Sequence, residues 1–182
     1  MSGIMRKTCV YITGTNGVGK TTLAKALIEH YGGVKTSDKE LTLCNDERAC
    51  FAGPYGESNY GGVDIINQTK SLQGIVKKAL KTQDVIFCEG SFMNTFGINV
   101  TKAMFEAERH LVVFLYAPVR VIHSRLLSRS GRGVNKEVVE KQKCGCSAAR
   151  KWGSIGVPVL SFDTSKVEIG IIIQQIIKRI EK

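Results

Sequence analysis

Gly14, Thr15, Asn16, Gly17, Val18, Gly19, Lys20 and Thr21 match the pattern G-x-x-x-x-G-K-[ST] in full. Glycines at these positions let backbone N–H groups turn inward around phosphate oxygens, and a helix starting at the end of the loop adds its positive terminus. Lys20 is then placed to reach the β and γ phosphates of a nucleotide, Thr21 to hold Mg²⁺, and Thr22 to complete the contacts. The context agrees with the motif. Thr8 to Thr13 is short, β-branched and aromatic, and Leu23, Ala24, Leu27 and Ile28 recur at helical spacing, so the order is strand, loop, helix.

On these residues the chain resembles the P-loop kinases, over most of its length. The resemblance implies a three-layer α/β P-loop NTPase fold with a five-stranded parallel sheet, the strand before the phosphate loop lying at its centre. It also implies ATP as donor with Mg²⁺, and a basic lid after the fourth strand. Leu126 to Gly133 looks like that lid, which is expected to span about 128–136. No Asn-Lys-x-Asp base-reading motif is present, so a kinase of a small metabolite or of nucleic acid fits better than a GTPase.

Phosphoryl transfer to a hydroxyl needs alignment, neutralised charge and an acceptor for the hydroxyl proton. Asp38 is the candidate base, because it ends the second strand where shikimate-kinase-like and polynucleotide-kinase-like families place theirs; otherwise it is a turn or helix-cap aspartate. Glu89 ends an apolar strand beside Gly90, a place for an acid that holds the magnesium water shell or meets the substrate, or else a strand-terminal surface glutamate. Arg125, Arg129 and Arg132 recur at about one helical turn and can converge on phosphate oxygens, or form a solvated helix face. In the segment from Pro54 to Asp64, Tyr55 and Tyr60 are candidates to stack on an acceptor base, with Asp64 as a substrate contact or a helix cap; the bland reading is an ordered surface loop. Asp163, Thr164 and Ser165 resemble the loop that packs near adenine, or form a plain turn.

Elements must carry these residues to one edge. After the first helix, Gly32 and Gly33 stop the chain and Val34 to Ser37 forms a second strand. Residues 39–62 lack a sustained period and are rich in turn formers, so they read as an irregular insertion. Helical spacing returns from Val63 to Thr82, then a strand from Asp84 to Gly90, a helix near Val100 to Arg109 and a strand from Leu111 to Ala117. Helices from Pro118 and from Lys136 to about Trp152, a last strand Val157 to Phe162 and a helix Val167 to Ile180 complete a single domain over 1–182. Continuous apolar strands alternating with helices imply a parallel sheet covered on both faces.

Composition narrows the function classes. With 182 residues, 43% hydrophobic, 23% charged and 3 Pro, the chain has the make-up of a globular protein able to bury its own core. The apolar runs are too short to span a bilayer and no signal-peptide core follows Arg6 and Lys7, so a soluble, cytoplasmic (intracellular) protein with no membrane partner is expected. Cys9 and Cys88 sit in strand-like runs as free thiols, while Cys144, Cys146, Cys44 and Cys50 leave a zinc site open. The net charge of +10 is concentrated between Val119 and Lys151, where nine basic residues face two acidic ones. A polyanionic partner fits that excess. The expected acceptor is a hydroxyl of nucleic acid, either a 5′ end or a hydroxymethylated pyrimidine in DNA. The alternatives are a free nucleoside, nucleotide or metabolite as acceptor, or a non-catalytic ATP-binding switch. Monomer or homodimer stays open.

Overall fold

The computed structural model describes residues 6–56, 61–66, 69–91 and 98–182. Among them the chain forms β1 (Thr8–Thr13), α1 (Lys20–His30), β2 (Val34–Ser37), β3 (Leu41–Cys44) and β4 (Ala49–Ala52). A 3₁₀ turn (Val63–Ile65), α2 (Thr69–Ala79), β5 (Val85–Glu89) and α3 (Ile98–Met104) come next. The chain then completes β6 (Arg109–Tyr116), α4 (Val119–Ser130), α5 (Lys136–Ser154), β7 (Val159–Asp163) and α6 (Ile169–Ile180).

The strands join in one sheet of order β2-β3-β4-β5-β1-β6-β7. From β4 to β7 neighbouring strands run parallel, whereas β2 with β3 and β3 with β4 pair antiparallel. The expected five-stranded parallel sheet is therefore corrected to a mixed sheet of seven strands. The cause lies in residues 39–62. Ala49–Ala52 is buried on both faces, yet Ala is a poor strand former and four residues set up no pattern. It takes the parallel place beside β5, and Val34–Ser37 is displaced to the outer arm of a hairpin.

Both faces of the sheet are covered because its strands alternate between two apolar layers. Val10, Ile12, Val85, Phe87, Val113 and Leu115 pack against α1, α4 and α6 through Leu27, Ile122 and Ile176. Cys9, Tyr11, Ile86, Cys88 and Val112 meet α2, α3 and α5 through Leu72, Met104 and Trp152. Full burial of one such large side chain contributes about 1.5–3 kcal/mol. The C-terminal ends of the parallel strands gather the connecting loops at one edge, where open α/β sheets form their clefts.

The expected helix over Val63 to Thr82 is interrupted: Asp64 lies in the 3₁₀ turn, and α2 begins only at Thr69. The expected lid is also reduced. Helix α4 continues to Ser130, where Gly131 at φ 66° ends it. Asn135 then caps α5 by accepting from the Val138 N–H at 3.0 Å. Between them Val134 packs on the core, and its N–H donates to His123 Nδ1 at 3.2 Å. No helix among the described residues is long and apolar enough to cross a membrane. The thiols of Cys9, Cys44, Cys50 and Cys88 are buried and free, and no cluster of three or more His, Cys, Asp or Glu able to hold a metal occurs among the described residues.

Candidate active site

The phosphate loop is built from backbone that only glycine adopts easily. Gly14, Gly17 and Gly19 have φ of 148°, 81° and 95°. A Cβ at Gly17 would stand 3.0 Å from Leu126 and 3.1 Å from Ile122, so the loop lies directly on α4. Thr15 Oγ1 donates to the Val138 carbonyl at 2.9 Å and ties the loop to the first turn of α5. The backbone thus holds its shape by contacts on two helices.

Lys20 begins α1 and is only 7% exposed, its Nζ donating to the Thr15 carbonyl at 3.3 Å. Burial holds its ammonium below the usual lysine range, against the pull of the Glu89 and Asp64 carboxylates. Glu89, at the end of β5 and 2% exposed, is pushed up to about 7 by burial, with Lys20 and the Tyr55 hydroxyl opposing that rise. Its Oε2 accepts from Tyr55 OH at 3.0 Å and from Thr21 Oγ1 at a long 3.5 Å. A basic and an acidic side chain therefore share one dry corner beside the phosphate loop.

Asp64 and Ser91 form the next contact along the cleft. The Ser91 N–H donates to both Asp64 carboxylate oxygens at 2.9 and 2.8 Å, and Ser91 Oγ donates to Oδ2 at 2.8 Å. Gly90 allows this approach, since a Cβ there would lie 2.7 Å from Asp64 Oδ1. Ser91 lines the cleft and was not singled out from the sequence, although its place directly after the strand-ending Glu89-Gly90 pair was a signal.

At the other end Arg125 joins three segments. Its guanidinium donates to the Thr164 carbonyl at 2.8 Å, to Thr164 Oγ1 at 2.9 Å and to the Gly17 carbonyl at 3.4 Å. A cleft of about 940 Å³ runs from Thr164 to Ile169, past Asn16 to Thr22, to Glu89, Asp64, Gly61 and Ser91. That is the upper end of the range for a single-ligand pocket. Arg125 and Arg129 line it; Arg132 is exposed and does not.

Two residues that the sequence suggested as substrate contacts do not line the cleft. Asp38 stands outside the cleft lining, in the turn between β2 and β3, where its Oδ1 accepts from the Glu40 and Leu41 N–H groups at 2.7 Å each. Those backbone donors, Leu41 first, hold its carboxyl below the usual range. This is the local geometry of a turn aspartate. Tyr55 is 3% exposed, edge-on to Phe51 with ring centroids 5.6 Å apart, and committed to Glu89, so it presents no face to a base. Tyr60 lies outside the described residues.

The oxygen-only donor set of Thr21 and Glu89, beside a cradle for phosphates, fits Mg²⁺ carried on a nucleotide.

No family model matches the chain. A protein of Pyrococcus abyssi (strain GE5 / Orsay) named "Putative adenylate kinase" is 31% identical over 137 residues, 72% of this chain and 64% of that protein. The chain thus spans somewhat less than two thirds of that relative. Among solved structures, the Bacillus subtilis YorR protein in complex with phosphorylated GDP aligns with a TM-score of 0.60 at 15% identity, covering 95% of each chain. A sugar kinase from Janibacter sp. aligns at 0.57 and 14%, covering 94% of this chain and 93% of its own. Deoxyadenosine kinase from M. mycoides aligns at 0.54 and 14%, covering 95% and 98%. The fold is accordingly the α/β fold that these solved structures share.

Proposed function

We propose that the chain is an ATP-dependent phosphotransferase that moves the γ-phosphoryl group to a hydroxyl or phosphate of a nucleoside, nucleotide or similarly small acceptor. The observation that carries this reading is the continuity of one cleft with two chemically different ends. Thr164 to Ile169 and Arg125 form the donor end, and Gly61, Asp64 and Ser91 form the acceptor end, with Lys20, Thr21 and Glu89 between them. The similarity to a protein named for adenylate kinase activity and the shared fold with a deoxyadenosine kinase support it.

The residues divide the work. The loop N–H groups and Lys20 hold the phosphates and neutralise charge on the moving group. Thr21 and Glu89 would hold Mg²⁺, which would supply neutralisation of phosphate charge. Asp64, fixed by Ser91, takes the proton of the acceptor hydroxyl in place of the outlying Asp38. Arg129 reaches the phosphates from the cleft wall, while Arg125 shapes the donor end.

A second reading, in which the acceptor hydroxyl belongs to a nucleic acid, is favoured by the exposed basic residues Arg120, Arg132, Lys136, Lys143, Arg150 and Lys151 on α4, α5 and their link. Both readings share the transfer chemistry. Asp64→Asn is expected to lower kcat by at least about 10²-fold with the KM for ATP little changed. Full activity in that variant would remove Asp64 from the mechanism.

A further inference from the structure

Three glycines let residues 53–55 and 61–62 lie in direct contact. A Cβ at Gly53 would collide with the Gly62 backbone, one at Gly61 would lie 2.8 Å from Pro54 O and Tyr55 Cδ1, and one at Gly62 would lie 2.6 Å from Glu89 Oε2 and 2.9 Å from Tyr55 OH. There the Tyr55 hydroxyl donates to Glu89 Oε2 at 3.0 Å. On its other side the tyrosine is held by the hairpin: its N–H donates to Thr42 Oγ1 at 2.9 Å and lies 3.2 Å from Ser37 Oγ. Thr42 is wholly buried, its hydroxyl 2.9 Å from the Gly53 carbonyl and 2.8 Å from Ser37 Oγ.

These contacts form a continuous chain from β2 and β3 through Tyr55 to Glu89 Oε2, the oxygen that Thr21 Oγ1 also reaches. A buried hydroxyl would otherwise lose its partner, and a carboxylate with one partner at 3.5 Å would be free to turn. We infer that Tyr55 is a positioning residue that fixes the Glu89 carboxylate toward Thr21, and that the β2–β3 hairpin serves to hold that tyrosine. The inference deepens the proposed function and rests on its reading of Glu89.

The test uses the full chain with a non-hydrolysable ATP analogue. Free Mn²⁺ is followed by its electron paramagnetic resonance signal, and kcat and KM are measured with ATP and Mg²⁺. Tyr55→Phe keeps the ring against Phe51 and removes only the hydroxyl. It is expected to weaken Mn²⁺ binding and lower kcat by roughly tenfold each, as loss of an outer partner of a ligand does, with KM for ATP held. In a Glu89→Gln background the same change is expected to add nothing, because the effect passes through Glu89. Thr42→Val, acting one step back, is expected to shift metal binding in the same direction. Parent-like metal affinity and kcat in Tyr55→Phe, while Glu89→Gln loses both, would overturn the role of Tyr55 and leave Glu89 standing. An undiminished effect of Tyr55→Phe in the Glu89→Gln background would also overturn it. If Glu89→Gln itself matches the parent, the reading of Glu89 fails and this inference falls with it.

Discussion

Glu89 is a carboxyl kept out of water beside a buried ammonium, and its proton affinity measures how those two forces balance. Held at about 7 against an ordinary 4.5, it binds a proton on folding across that interval. The folded state therefore gains as pH falls through the interval, and stability present near pH 5 declines toward pH 8 by up to about 3 kcal/mol for the ligand-free protein. Thermal unfolding should show a higher midpoint at about pH 5.5 than at about pH 8, and Glu89→Gln should flatten the difference. A pH-independent midpoint in the parent would mean that Glu89 is solvated. For Lys20→Ala, transfer should fall by at least about 10²-fold while the circular dichroism spectrum is kept, because the lost group acts on phosphate charge.

At this scale the sequence was legible where the chemistry is contiguous. The loop from Gly14 to Thr21 sets its own backbone, so pattern and context suffice. Glu89 could be found because it ends an apolar strand. Asp38 read as a site residue from its place at the end of the second strand, and Tyr55 as an aromatic able to stack on a base. Their actual partners, however, are local backbone N–H groups for one and a residue 34 positions away for the other.

Among the elements, β3 and β4, within the segment that reads as an irregular insertion, were the least visible. Leu41–Cys44 and Ala49–Ala52 are four residues each; β4 takes its place by pairing with distant β5, and β3 by pairing with β2 and β4, rather than through their own periodicity. The consequence is a different role for Asp38. Asp38→Ala is expected to leave kcat within about twofold of the parent and to lower the unfolding midpoint, since only a turn loses its carboxylate acceptor; a loss of turnover without a loss of stability would return Asp38 to catalysis. The connection made by Arg125 belongs to this scale too. It joins α4, the phosphate loop and the β7–α6 loop, so Arg125→Ala should raise the KM for ATP by about tenfold or more, from the loss of charged hydrogen bonds, with a smaller effect on acceptor KM.

For the whole molecule, the alternation of strands and helices disclosed the layered α/β architecture, because burial on both faces leaves apolar runs that are easily read. Charge is also a whole-molecule property, and it distinguishes the two acceptor classes. A small acceptor makes few phosphate contacts, so its KM should vary little with salt. An acceptor within nucleic acid would lose affinity with a log–log slope of about −0.9 per phosphate engaged on duplex. The +10 charge ensures that such binding, where it occurs, is strongly salt-dependent.

The most direct measurement is transfer of label from γ-labelled ATP with Mg²⁺ to two acceptor pools in parallel: free nucleosides and nucleotides, and DNA with ordinary or hydroxymethylated pyrimidines. Label in the free pool, abolished by Lys20→Ala and nearly abolished by Asp64→Asn, is the expected result. Label confined to DNA would shift the acceptor to the second reading. Label in neither pool, with ATP bound and left intact, would contradict the transferase account.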